Sequence, residues 1–443
     1  MHSRRTSIVA TTVTLILSGG GALAQESNAP IVVGYSGLPT RAPRGGQTGL
    51  QVTEGTLLHA GAGAEGGYDS NVYYSGQGSA TSAGLVRATA FLEYTNASRT
   101  GEVPSSLFFD IGASLQYREY LSDRVDARNR RAFMPQAGAS LEFSGSQVVS
   151  LTLSDSFART EDPPYRADDG PIIRNGNQAL AQVRLAPGGG RLQGIIRYTN
   201  SIDVFSGSNT DYRYANSMSH EAMVDFSWKW LPKTAIFVQG RQGYIQYLDS
   251  SSTQTSVKRP SYPLRATLGL RGLITEKTTV GVALGYANAF YSSGESTGGF
   301  LGSTYASADV TYRPLLTTLV TLGYRHDFQN SLISNFYYMD GLYLTLQQQL
   351  VGRISAGLSG RWEHRNFRGN IGNAAAGQPQ AVLDRTDDFF QAGATVDVTL
   401  KGGFYLGVGY SLLVNQSDFE PPPPAASPEY LKHQVFGRLG VTY

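Results

Sequence analysis

The sequence predicts an all-β fold: a transmembrane outer-membrane antiparallel β-barrel of about eighteen strands, sixteen being the alternative, with short periplasmic turns and long extracellular loops. Three observations lead there. Apolar and polar residues alternate with period two almost everywhere after residue 55, which marks strands with one apolar and one polar face. Connections are of two kinds, short turns and long polar segments, in strict alternation. The composition is that of strands and turns, with 52 Gly, 26 Tyr and 19 Phe among 443 residues and no long helical periodicity.

The strands are plain where the alternation is regular. From Leu107 to Arg118 one face carries Leu107, Phe109, Ile111, Ala113, Leu115 and Tyr117, while the other carries Asp110, Gly112, Ser114, Gln116 and Arg118. Over 218–230, His220, Ala222, Val224, Phe226, Trp228 and Trp230 oppose Glu221, Asp225, Ser227 and Lys229. The pattern returns over 353–365 with Trp362 opposed to Arg361 and Glu363. Such runs exceed the ~5–6 residues usual in soluble sheets and reach the ~9–11 that cross a bilayer at a tilt.

Short turns fall at 145–146, 187–190, 231–233, 275–277, 314–316, 350–352 and 401–403, with a longer one over 96–106. Long polar segments include 159–177, 249–262, 369–384 and 416–428. Eight connections of the first kind and nine of the second join eighteen strands and leave both termini on the short-turn side. The strands near 55–65 and 178–186 have the weakest patterns. Trp228, Trp230 and Phe404 beside turns, with Tyr117 and Tyr120 at the opposite end, read as interfacial girdles. The last strand presents Val435, Gly437, Leu439, Val441 and Tyr443 on one face, and its terminal aromatic resembles the signal read by barrel-assembly machinery.

The ends are different in kind. Residues 1–24 read as a signal peptide, with Arg4 and Arg5 before a short apolar stretch and Ala22-Leu23-Ala24 before Gln25. Residues 25–54 hold Pro30, Pro39 and Pro43 without alternation and read as a periplasmic lead or small plug, so the barrel occupies 55–443. Without Arg4 and Arg5 the 36 basic residues become 34 against 34 acidic, and this neutral balance gives nucleic acid no foothold. The absence of cysteine excludes thiolate chemistry and a disulfide scaffold.

Catalytic patterns are missing from the sequence. No two of the six histidines, His2, His59, His220, His326, His364 and His433, stand at a metal-ligand spacing. His220 and His364 read as interfacial residues, and Ser219 beside His220 points to the opposite face of its strand. The pairs Asp168-Asp169 and Asp387-Asp388 read as solvated groups in or beside outer loops. No cofactor and no metal is expected, and the protein is read as non-enzymatic.

Function is expected on the inward face. Alternation places Arg118, Arg197, Lys229, Arg265, Arg271, Arg325, Arg353, Arg361, Arg365 and Arg438 there, with Asp110, Glu221, Asp225, Asp327, Glu363 and Asp397 and the rings of Tyr343 and Tyr405. Two readings stand side by side: these charges pair across strands to hold the wall, or an excess of guanidinium suits an acidic or hydroxyl-rich polymer. A barrel of ~16–18 strands leaves an aqueous passage.

One short stretch adds a resemblance. The run Gly67, Tyr68, Asp69, Ser70, Asn71, Val72 and Tyr73, after a first strand, resembles the Asp-(Asp/Ser)-Asn-Val-aromatic signature of the β-barrel porin 2 family, barrels associated with exopolysaccharide secretion. Ser70 stands for a frequent second Asp, and Tyr74 for a basic or polar residue. The resemblance implies a pore through which a polysaccharide leaves the cell, working with a periplasmic polysaccharide export protein; the leading reading is a non-enzymatic, monomeric barrel in outer-membrane lipid. The alternatives are a general diffusion porin for small solutes and an outer-membrane hydrolase. In the run itself, Asp69 and Asn71 are expected to fix a turn at the strand's outer rim, with Tyr73 and Tyr74 as interface anchors.

Overall fold

The computed structural model describes residues 50–53, 55–76, 78–96, 106–146, 148–162, 172–206, 212–248, 258–291, 304–368, 385–419 and 427–443. The first half contains β1 (Leu50–Gln51), β2 (Leu57–Asp69), β3 (Ala83–Thr95), β4 (Leu107–Leu121), β5 (Ala132–Phe143), β6 (Val149–Asp162), β7 (Ile172–Leu185), β8 (Leu192–Ser206), β9 (Ser217–Leu231) and β10 (Thr234–Tyr247). The second contains β11 (Ser261–Thr275), β12 (Thr278–Tyr291), β13 (Thr304–Tyr312), β14 (Thr318–Asn330), β15 (Phe336–Val351), β16 (Ile354–Arg368), β17 (Arg385–Thr399), β18 (Phe404–Ser417) and β19 (Tyr430–Thr442).

From β2 to β19 each strand pairs with the next, and β19 returns to pair antiparallel with β2 from Gln434↔Asp69 to Thr442↔Gly61. This closes a barrel of eighteen strands; β1 adds only a two-residue bridge to the start of β2. Residues 1–49, where a signal peptide and most of a periplasmic lead or small plug are expected, lie outside the described residues, as do Asp168, Asp169 and the segment 369–384.

Alternation decides which way each side chain points, and the outer face is apolar. Val224, Phe226, Trp228, Leu268, Leu284, Val408 and Leu439 are all exposed. So much exposed apolar surface has no place in water, whereas hydrocarbon accepts it. Closure also pairs every strand edge, which a segment in lipid requires. The protein is therefore an outer-membrane barrel, and by the rule for such barrels its short turns face the periplasm. Trp228, Trp230 and Phe404 ring the turn end. Toward the other end Tyr198, His220, Tyr244 and Tyr262, on β8 to β11, form a row of rings with centroids 6.2, 6.4 and 5.1 Å apart.

Three expectations need correction. The described residues of the segment 159–177, namely 159–162 and 172–177, are strand, since β6 runs to Asp162 and β7 begins at Ile172; polar residues stand on both faces there, Asn175 and Asn177 on one and Arg174 on the other. One of the nine outer connections, 331–335, has only five residues. Tyr120 points inward rather than into a girdle: it is 3 % exposed, and its hydroxyl donates to Asp69.

Inside, five rings lie flat across glycines of the neighbouring strand. Phe91 covers Gly61, Phe237 covers Gly269, Tyr343 covers Gly323, Phe436 covers Gly409 and Tyr405 covers Gly440, and each ring and its glycine are direct cross-strand partners. A Cβ at any of these glycines would overlap the ring. The glycines thus keep the rings against the wall rather than in the lumen. Gly323→Ala should destabilise the barrel by about 1–3 kcal/mol through overpacking. Denaturant unfolding in bilayers checks this, and the Gly323→Ala/Tyr343→Ala double variant should lose the added strain; an equal loss in both would show that the ring is not the cause.

Candidate functional site

The inward charges are largely spent on one another. Arg118 reaches Glu161 at 2.5 Å and lies over the Tyr120 ring. On β16, Arg361 and Arg365 both hold Glu363, the latter at 2.7 Å, because alternate residues of one strand share a face. Arg438 forks onto Asp397 at 2.7 and 2.5 Å. That pair spans the intervening strand over Gly407, where a Cβ would overlap Asp397. Asp225 accepts from Arg271 at 3.3 Å and Gln239 at 3.1 Å, and Arg265 holds Asp327 at 3.0 Å. Arg197 donates twice to Gln182, at 2.9 and 2.6 Å.

Of the cations expected inside, Arg325 makes no hydrogen bond or ion pair among the described residues, and Arg353 sits exposed in a turn. Further pairs line the same wall: Arg87–Glu65, Arg174–Asp203, Arg385–Asp387 and Lys432–Asp69 at 2.8, 2.6, 2.5 and 2.8 Å. Wall-holding ion pairs thus take six of the nine arginines expected inside. Asp387, read as solvated, is 1 % exposed in its pair with Arg385, while Asp388 faces outward and accepts from His364 and Trp362. The missed pairs come mainly from β2, β3 and β7 or from strand ends beside loops, where neighbouring glycines and polar residues blur the alternation.

The lumen has two unlike sides. On β9, β17 and β19 almost every inward residue is buried, from Ser217 to Asp225, from Arg385 to Thr395 and from Tyr430 to Phe436. On β4 to β8 the inward side chains stay open. They include Ser114, Gln116, Gln136, Ser140, Thr152, Ser154, Ser156, Gln178, Gln182 and Ser201, all half-buried or exposed. This wall offers hydroxyls and amides with glycine between them, and water has access along it.

Above the lumen, an apolar crosspiece spans the outer mouth. Leu332 and Ile333, in the short loop between β14 and β15, pack with Tyr212, Tyr214 and Ala215 from the β8–β9 connection, and with Ile172, Phe205, Tyr337, Met339 and Phe367 from strand ends. The Tyr214 hydroxyl donates to the Leu332 carbonyl at 3.0 Å. Lys258 donates to the Ser334 carbonyl at 2.6 Å, and Tyr291 to that of Asn335 at 3.2 Å. Since β8 and β15 stand seven places apart in a ring of eighteen, these contacts pass over the passage.

The run Gly67 to Tyr73 is a clasp on the closing seam. Gly67 must lack a side chain, because a Cβ would overlap the Val435 carbonyl. Asp69 ends β2 fully buried, accepting the Asn71 amide at 3.0 Å, Gln434 at 2.6 Å, Tyr120 at 3.1 Å and Lys432 at 2.8 Å. Ser70 bonds His433 in both directions, at 2.9 and 2.8 Å. Asn71 exchanges hydrogen bonds with Ser75 at 2.7 and 2.9 Å, and Val72 is buried beside Leu85 and Tyr120. Tyr68 faces outward.

The turn-fixing role of Asp69 and Asn71 stands, but they are core rather than rim residues. Tyr73 and Tyr74 are not interface anchors. Tyr73 donates to Asp126 at 3.0 Å and faces Arg124 and Arg130; burial and that carboxylate raise its hydroxyl's pKa. Tyr74 takes a left-handed backbone at φ 56° and lies under the Lys432 ammonium, 4.0 Å from its ring centroid.

Other expected residues fall as follows. Leu439 and Tyr443 face outward, and Tyr443 exchanges backbone bonds with Ala60 at 3.0 and 2.7 Å. Val441 shares their face. Ser219 points inward and His220 outward, where it meets the Tyr198 hydroxyl at 2.7 Å. No group of three His, Asp or Glu able to hold a metal lies among the described residues.

No protein-family model and no curated protein matches the sequence. Several solved structures match over most of the chain at low identity. The siderophore receptor PirA from Pseudomonas aeruginosa is 9 % identical over 87 % of this chain and 80 % of its own, at a TM-score of 0.45. OccAB3 from Acinetobacter baumannii is 11 % identical over 87 % of this chain and 99 % of its own, at 0.40. OpdQ from Pseudomonas aeruginosa is 11 % identical over 88 % and 97 %, at 0.41.

Proposed function

We propose that the protein is a passive pore through which an exopolysaccharide crosses the outer membrane, acting as a monomer and receiving the polymer from a periplasmic export protein at its short-turn end. The open wall of β4 to β8 carries this reading. Sugar hydroxyls exchange hydrogen bonds with Ser, Thr and Gln for little net gain per bond, so a polymer is wetted everywhere and held tightly nowhere. The resemblance of Gly67 to Tyr73 to secretion barrels points the same way. No step of chemistry is assigned to the protein. Deleting its gene should abolish surface polymer and leave polymer in the periplasm or stall its synthesis; unchanged surface polymer sinks the reading.

The crosspiece over the outer mouth favours a second reading, a diffusion pore for small solutes that never admits a chain. Single-channel recording separates the two. A polymer pore should be blocked by added oligosaccharide, whereas a small-solute pore should conduct through it unchanged.

A further inference from the structure

We propose that a lumenal recess on β3 to β6 is a saccharide subsite at the periplasmic entrance, selective for sugar units that carry an amine or no charge and against uronates. This rests on the polysaccharide reading and names the class of unit that the entrance accepts.

The recess has a volume of about 540 Å³, within the range of small-ligand sites. Its inward lining joins two rings, Phe91 and Phe108, with two carboxylates, Glu93 and Asp110, the Gln136 amide and hydroxyls that include Ser140 and Ser154. Gly112 and Gly138 are cross-strand partners and form its floor. A Cβ at Gly138 would meet nothing closer than 3.6 Å, so the space above the floor is empty rather than filled by a neighbour.

Its height in the barrel matters. Phe108 and Asp110 stand near the periplasmic start of β4, which begins at Leu107, and Glu93 stands near the periplasmic end of β3, which closes at Thr95. A chain rising from the periplasm therefore meets this recess early.

The chemistry is specific. The half-buried Phe108 ring suits the C–H face of a pyranose, while the amide and hydroxyls match its OH groups. On the inward face of the lining the half-buried Asp110 has no hydrogen bond or ion pair among the described residues, Glu93 is buried beside it, and no cation is present. That field attracts an ammonium and repels a carboxylate, the more so where low-dielectric walls focus it. The arginine wall farther round the barrel does not reverse this locally, since most of its charges are paired.

The test uses the full barrel in planar bilayers. Oligomers of glucosamine, neutral glucose and galacturonate, matched in length, are added from the periplasmic side, and blockade affinity is read from residence times. The expected order is glucosamine, then glucose, then galacturonate. Asp110→Asn should weaken glucosamine blockade roughly tenfold, a loss of ~1.4 kcal/mol, and leave glucose nearly unaltered. Gly138→Phe should fill the recess and weaken both. Should that variant not insert, Ser154→Trp fills the same space from β6.

Blockade of wild type by galacturonate at least as tight as by glucosamine would overturn the assigned selectivity. Oligosaccharides that block wild type and all recess variants alike would overturn the subsite while leaving the polymer pore intact. If no oligosaccharide of any charge blocks wild type, the polysaccharide reading fails and the subsite fails with it.

Discussion

Lys432→Met should lower the stability of the barrel by about 3–5 kcal/mol, the loss expected when one partner of a buried ion pair is removed. Asp69 and Lys432 are both essentially fully buried, 2.8 Å apart. Lys432 also donates to the Asn71 carbonyl at 2.9 Å and covers the Tyr74 ring. Without the ammonium, Asp69 remains a carboxylate in a dry wall with only neutral donors. Replacing both members by apolar residues, as Asp69→Leu/Lys432→Met, should recover part of the loss, because no charge is then stranded. Urea unfolding in lipid vesicles, run as a double-mutant cycle, measures both effects. A single-variant loss under ~1 kcal/mol, the value of an exposed pair, would show that the clasp does not hold the seam.

Opening the outer mouth should change conduction most. Leu332→Ala removes a buried side chain from the crosspiece, which costs about 2–5 kcal/mol in a packed site. If ~3 kcal/mol of that favours the inward loop over an outward one, the balance between them shifts by about a hundredfold. Tyr214→Phe removes the hydroxyl that reaches the Leu332 carbonyl and should shift the balance in the same direction, by ~0.5–1.5 kcal/mol. Single-channel conductance and open probability should both rise in Leu332→Ala, with a smaller rise in Tyr214→Phe. Identical traces from wild type and Leu332→Ala would mean that the crosspiece does not limit passage.

The architecture was legible because lipid and lumen impose a period of two on every crossing. Phe226 and Trp228 could be placed outside, and Asp225 inside, from neighbours along the chain alone. The alternation faded where a strand lacks contrast. In β2 the outward residues Ala60, Ala62 and Ala64 face inward Gly61, Gly63 and Glu65, and the reason for the glycines lies on another strand, in the ring of Phe91 that needs the space over Gly61. In β7, Asn175 and Asn177 stand on one face and Arg174 and Gln178 on the other, so polarity could not tell strand from loop.

The site was legible only as a list. Period two put Arg361, Glu363 and Arg365 on one face, and they do join. Which partner Asp225 or Asp397 takes is set by cross-strand register, to which a local pattern is blind. The inward lean of the 331–335 loop had no signal, because its short polar ends read like any outer connection. The recess on β3 to β6 was hidden for a similar reason: Glu93 and Asp110 meet only when β3 and β4 are laid side by side.

The seam has a temporal consequence. The residues that clasp the barrel shut lie at its two ends, with Gln434 and Asp69 separated by 365 positions, and contacts of such separation form late and slowly. Until β19 arrives, β2 keeps an unpaired edge that another chain could capture. Ser70 and Asn71 receive their partners His433 and Leu431 only at that moment. The turn after the first barrel strand can therefore be finished only when β19 pairs, and its correct geometry reports that the seam has closed.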